Sequence, residues 1–210
     1  MPDPKTFRLL IVPGVIIDRW SRTWSERQPA VPLEVVPVEA AQAAMLLPDQ
    51  ADAGLIRLPV DMETFHAIPL YTEATVVVVP RDHVITAADQ VTLADLADER
   101  LLVPRDDVLG RSGTGDAPAT TAIAVEWVAA SAGVLVVPQS LARLHHRRDV
   151  TYRVVTDAPA SAVGLVWMKD RHTDLVEEFI GVVRGRTPNS TRGKADRVAR
   201  FREQPRSRRP

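Results

Sequence analysis

Two threonines, two arginines and a few acids and imidazoles carry what chemistry this chain can offer. Thr120 and Thr121 stand directly before an apolar run, Ala122-Ile-Ala-Val-Glu-Trp-Val-Ala. A hydroxyl there can accept a hydrogen bond from an otherwise unpaired amide of a helix's first turn. The same helix end suits an anion or a carboxylate, so the pair is either an anion site or a plain cap. Arg57 and Arg105 each carry a planar guanidinium able to hold a carboxylate through two bonds; the alternative is an ordinary ion pair with a nearby acid such as Asp106. Asp61, Glu63 and His66 lack the one-face spacing of a helical metal site. His145 and His146 are neighbours and would diverge on a helix; with Arg147 and Arg148 after them they read as a solvated basic edge. Gly110-Arg-Ser-Gly-Thr-Gly115 has the glycines of a phosphate loop but neither its lysine nor its strand-to-helix setting. Asp106, Asp107 and Glu126 are the acids open to acid–base chemistry, and no serine sits in a nucleophile-elbow motif. No catalytic residue, metal ligand or cofactor is therefore expected.

The bulk composition narrows the setting. The 210 residues, 45% hydrophobic and 25% charged, suit one or two globular domains with a real core. There is no cysteine, which excludes disulfides, thiol nucleophiles and thiolate metal sites and fits a reducing compartment. No export signal and no run of membrane-spanning length is visible, so a cytoplasmic location is expected. The net charge of −1 conceals an acidic body and a basic end: residues 184–210 hold ten Arg or Lys against two Asp or Glu. Such a tail is either solvated and disordered or able to touch nucleic acid non-specifically.

The elements that would position these groups alternate. Phe7 to Val12 reads as a buried strand ended by Pro13-Gly14, and Val15 to Arg27 as a helix whose Ile16, Trp20 and Trp24 share a face. Leu33 to Val38 is a second strand, and Glu39 to Leu47 an Ala-rich helix closed by Pro48. Ala53 to Leu58 is a third strand. This order predicts an α/β domain with a mainly parallel sheet, whose ligands sit beyond the carboxyl ends of the strands, at Pro13-Gly14-Val15 and Ile56-Arg57-Leu58. Residues 60–69 read as loop and Tyr71 to Val79 as one long strand. The helix near Thr120 is apolar except for Glu126 and should be buried, with Gly133 as its left-handed end. Val134 to Val137 is a strand covered on both faces. A short helix from Ser140, strands at Tyr152 to Val155 and Ala162 to Met168, and a helix over Asp174 to Arg184 capped by Asp174 complete the chain.

Four stretches together resemble the effector-binding (substrate-binding) domain of LysR-type transcriptional regulators: Asp52-Ala-Gly-Leu-Ile-Arg-Leu-Pro59, Val76-Val-Val-Val-Pro-Arg-Asp-His83, Val91-Thr-Leu-Ala-Asp-Leu-Ala-Asp-Glu-Arg-Leu-Leu102 and Ala129-Ala-Ser-Ala-Gly-Val-Leu-Val-Val-Pro138. The resemblance spans residues 7–184. It implies a two-lobed, type 2 periplasmic-binding-protein-like α/β fold with two hinge crossings. Residues 1–80 and 158–185 would form one lobe, 81–157 a shortened second lobe, and 186–210 the basic tail. It implies a non-enzymatic domain that binds a small, typically anionic effector and regulates transcription, paired as a homodimer, with Trp20 and Trp24 either in the dimer face or in the core. Gly14, Val15, Arg57, Arg105, Thr120 and Thr121 match the positions from which the family contacts its effector. The family places a helix-turn-helix before this domain, whereas this chain opens at the domain's first strand, so it is expected to act through a partner or as a truncated regulator. The alternative is an enzyme on the same fold, acting on a carboxylate-bearing metabolite with an acid or base in the cleft.

Overall fold

The computed structural model describes residues 6–112 and 116–186. The basic tail beyond Arg186, and Gly113 to Gly115 of the glycine-rich loop, lie outside the described residues. Strands β1 (Phe7–Ile11), β2 (Leu33–Pro37), β3 (Ala53–Leu58) and β4 (Phe65–Glu73) enter a first sheet with β10 (Ser161–Met168), in the order β2-β1-β3-β10-β4. Helices α1 (Asp18–Arg27), α2 (Ala43–Gln50) and α5 (Asp174–Val183) cover it. Strands β5 (Thr75–Pro80), β6 (Gln90–Val91), β7 (Leu101–Leu102), β8 (Val134–Pro138) and β9 (Val150–Val155) form a second sheet, ordered β6-β9-β5-β8-β7. Helices α3 (Thr121–Ala129) and α4 (Gln139–Leu144) pack on one of its faces. Two sheets in one mixed α/β chain make the expected two-lobed architecture.

Several sequence expectations need correction. Only β1, β2 and β3 run parallel in the first sheet; β10 is antiparallel to both β3 and β4. The stretch 60–69 is not all loop. Phe65–Glu73 pairs with the whole of β10, and Pro69 is tolerated because β4 lies on the sheet edge, where one side of the strand needs no ladder partner. The expected long strand from Tyr71 to Val79 is therefore two strands that part at Ala74. β5, assigned above to the first lobe within 1–80, pairs with β8 and β9 of the second. A run of valines is equally at home in either sheet, so its composition could not place it. The chain crosses between lobes at Glu73 to Thr75 and returns between Val155 and Ser161. Thr75 Oγ1 donates to Pro159 O across 2.5 Å, tying the crossings together.

Helix ends differ too. Pro48 sits inside the last turn of α2 rather than after it. Thr173, not Asp174, caps α5, accepting from the Val176 amide at 3.3 Å. α3 is buried along one face only: Thr121, Ala124, Val125 and Val128 are buried, while Ala122 and Glu126 are exposed. Ser131, with φ 56°, is its left-handed terminator. The Ser131 and Ala132 amides donate to Val128 O and Trp127 O, the paired bonds of a Schellman end. Gly133 serves another purpose. At φ 153° a Cβ there would lie 2.4 Å from Arg100 O, and that carbonyl accepts from the Val134 amide as β8 begins.

Candidate functional site

The lobes face each other across a cavity of about 250 Å³. Pro13, Glu39, Ala40 and Arg57 line it from the first lobe; Asp106, Val108, Thr120, Thr121, Ala122, Leu141, Leu144 and His145 line it from the second. The volume falls just below the usual range of ligand sites, about 300 to 1,000 Å³, and suits a small ligand. Each wall has a local cause. Pro13 ends β1 where the chain turns. Glu39 and Ala40 lie in the turn before α2, closed by the bond from the Gln42 amide to Glu39 O. α3 presents its first turn, and α4 its apolar Leu141 and Leu144.

Arg57, at the end of β3, is the most constrained of the expected residues. Its side chain and that of Glu73 are each 8% exposed, and Nη1 meets Glu73 Oε2 at 2.7 Å. Nη1 also donates to Ser161 Oγ at 2.7 Å, and Nη2 to Pro13 O at 3.2 Å and Ser140 Oγ at 3.3 Å. Only Nε is buried without a partner. The guanidinium thus joins β3, both crossings and the first turn of α4. A pair so buried is sustained only with its other hydrogen bonds satisfied. Sequence reasoning missed Glu73, Ser140 and Ser161. The one available signal was that an arginine at a strand end packed under a second lobe must find an acid.

Thr120 and Thr121 divide the roles that the sequence left open. Thr120 Oγ1 accepts from the Ile123 amide at 3.3 Å, the plain cap. Thr121 is 2% exposed and its hydroxyl donates to Asp106 Oδ1 at 2.9 Å. The positive end of α3 therefore already has a carboxylate beside it, supplied by this chain. Asp107 is turned elsewhere: its carboxylate accepts from the Leu109 and Arg111 amides and pairs with Arg111, whose guanidinium also reaches Val136 O.

Gly14, Val15 and Arg105 are not brought to this cavity. Gly14, at φ 87°, packs so tightly on α4 that a Cβ would lie 2.5 Å from Ser140 Oγ. It lines an adjoining, more open groove with Val15 and Glu39. Val15 is 8% exposed and belongs to the core of the first lobe. Arg105 is exposed, and its amide donates to Pro118 O. His145 corrects the basic-edge expectation. It is half-buried in the cavity wall while His146, Arg147 and Arg148 are exposed. Burial pushes its imidazole below the ordinary range, against the pull of Asp106. The acid and imidazole that the enzyme alternative required do line the cavity, so that alternative is not removed by their placement. Among the described residues no three acids or imidazoles gather as a metal site; Asp61 instead accepts from Thr64 Oγ1 and the Glu63 amide.

Known proteins share this fold. The effector-binding domain of BenM, solved with its effector benzoate, superposes with a TM-score of 0.70 at 21% identity, over 88% of this chain and 96% of that one. The reduced form of OxyR gives 0.70 at 22%, again over 88% and 96%. The HTH-type transcriptional regulator AlsR of Bacillus subtilis (strain 168) is 25% identical over 178 residues, 77% of this chain and 59% of its own length. A probable hydrogen peroxide-inducible genes activator of Mycobacterium avium is 29% identical over 177 residues, 76% of this chain and 57% of that protein. The chain thus spans less than two thirds of these regulators. The LysR substrate binding domain matches residues 11–188, from β1 to just past α5. With both sheets (save the first four residues of β1), both crossings and the interlobe cavity inside that match, the chain belongs to the LysR substrate-binding domain family.

Proposed function

We propose that this chain is the non-catalytic, effector-sensing domain of a LysR-type transcriptional regulator, working inside the cell. The observation that carries this reading is the cavity lined from both lobes, because a ligand held there couples their relative position to its own binding. The two lobes, residues 6–73 with 161–186 and residues 75–155, flex about the two crossings tied by Thr75. Family membership in a binding domain, rather than any missing acid, sets the enzyme alternative aside. The lack of cysteine in residues 1–210 removes thiol oxidation within this chain as its signal. A side-by-side homodimer would pass the change to DNA-bound partners, and residues 186–210 would add salt-sensitive contact with nucleic acid.

A thermal-shift screen of small metabolites against the chain and its Ala122→Trp variant tests this. Ala122 is exposed at the cavity wall, so an indole there fills the space without touching either core. A ligand at a hundred times its dissociation constant adds about 2.7 kcal/mol to stability. The expected result is a stabilising compound whose effect disappears in the variant. Stabilisation that survives the filled cavity overturns the assignment.

A further inference from the structure

Resting on the reading of the interlobe cavity as the ligand site, the geometry points to an effector that brings a cationic or N–H donor end, on a compact apolar body, to Asp106 and Glu39. The two features of the fold that would greet a carboxylate are both already engaged, with only the buried Arg57 Nε lacking a partner. The Arg57 guanidinium meets Glu73 at 2.7 Å, with both side chains 8% exposed, and spends its Nη hydrogens on Ser161, Pro13 and Ser140. The N-terminus of α3 faces the Asp106 carboxylate, held by Thr121 Oγ1 at 2.9 Å. What remains open to a ligand is acceptor-rich. Asp106 has a second carboxylate oxygen beyond the one held by Thr121, and the exposed Glu39 lines the cavity from the first lobe.

The sum of charges agrees. In the lining Glu39 and Asp106 stand against Arg57, the only cationic side chain there and already paired with Glu73, while His145 is held toward its neutral form by burial. An anion entering would be desolvated beside two carboxylates with no free cation to receive it, whereas a cation would be paired from both lobes at once. The remaining walls, Pro13, Ala40, Val108, Leu141 and Leu144, suit a small apolar body. A cation bridged between Glu39 and Asp106 would also draw the lobes together, which gives such a ligand differential affinity for the closed form.

The experiment is an NMR titration of the whole chain with matched one-ring probes: benzylamine, benzyl alcohol and benzoate at one pH and ionic strength. The expected result is that benzylamine shifts the amides of Asp106, Thr121 and His145 and binds at least about tenfold more tightly than benzoate. Asp106→Asn keeps an acceptor for Thr121 Oγ1, so the fold is retained. It should weaken benzylamine by about tenfold and strengthen benzoate. Glu39→Gln should act in the same direction from the other lobe. Benzoate binding the unaltered chain as well as benzylamine, or benzylamine indifferent to both substitutions, overturns the ligand class while leaving the cavity as a ligand site. Cavity amides that no probe moves, in the unaltered chain or in either variant, count against the cavity as a site and so against both inferences.

Discussion

The two lobes are packed by different means. In the first, Phe7 stacks on Trp24 and on Phe179 at centroid separations of 4.8 and 5.2 Å, and one continuous core runs from these rings to Leu47 and Trp167. In the second, Val76 and Val78 point to one side of the sheet with α3 and α4, and Val77 and Val79 to the other, toward Ile85 and Leu96. Its sheet divides its core into two thinner layers made mostly of methyl groups. The difference bears on function. The first lobe, packed on aromatic rings, presents Arg57 and Glu39, and the second, packed mostly on methyl groups, carries α3, Asp106 and His145.

Deleting a ring should break this contrast most visibly. Trp24 is fully buried, and its Nε1 donates to Val31 O at 2.8 Å. Trp24→Ala should cost about 3–5 kcal/mol, against about 1–3 kcal/mol for Val136→Ala in the second lobe. Denaturant unfolding of the two variants checks the ratio; equal losses would remove the distinction between the lobes. The next effect lies at their junction. Glu73→Ala strands the buried Arg57 charge and should cost about 3 kcal/mol or more, whereas replacing both partners with apolar residues of like size should cost much less. A double-mutant cycle read by unfolding separates the two outcomes.

Smaller changes sharpen the comparison. Thr120→Ala and Thr173→Ala each remove a helix cap, one per lobe, for about 1 kcal/mol. Hydrogen exchange should show local opening of α3 in the first variant and of α5 in the second. The smallest effect is a pH dependence in the second lobe. The folded His145 imidazole has its pKa lowered by burial from 6.5, so on acidification the unfolded chain takes up this proton first. The His145 contribution is intact above about pH 6.5 and is lost as pH falls from there through the folded value. Thermal melts of His145→Gln should therefore change less between pH 7 and pH 5 than those of the unaltered chain.

What could be read along the chain was whatever local periodicity and turn chemistry decide. β1, β3, β8, α3 and α5 were placed within a few residues, because apolar runs and capping hydroxyls act over one or two turns. The four stretches resembling LysR-type effector domains carried the two-lobed fold. The sequence could not tell which sheet the valines of β5 would join, nor that Pro69 would sit on an edge strand, since partner choice is made by residues far along the chain. Trp20 and Trp24 shared a helical face, but only packing against Phe7 and Phe179 made Trp24 a core residue rather than part of a dimer surface.

The site followed the same division. Residue types named Arg57, Arg105, Thr120 and Thr121 as groups able to receive an anion, and the fold brings all of these but the exposed Arg105 to the cavity. Tertiary structure alone decided that Glu73 neutralises the first and that Asp106 occupies the place beside the last. A side chain's capacity to bond is intrinsic to it, but whether that capacity is left for a ligand depends on which groups the fold has already set against it.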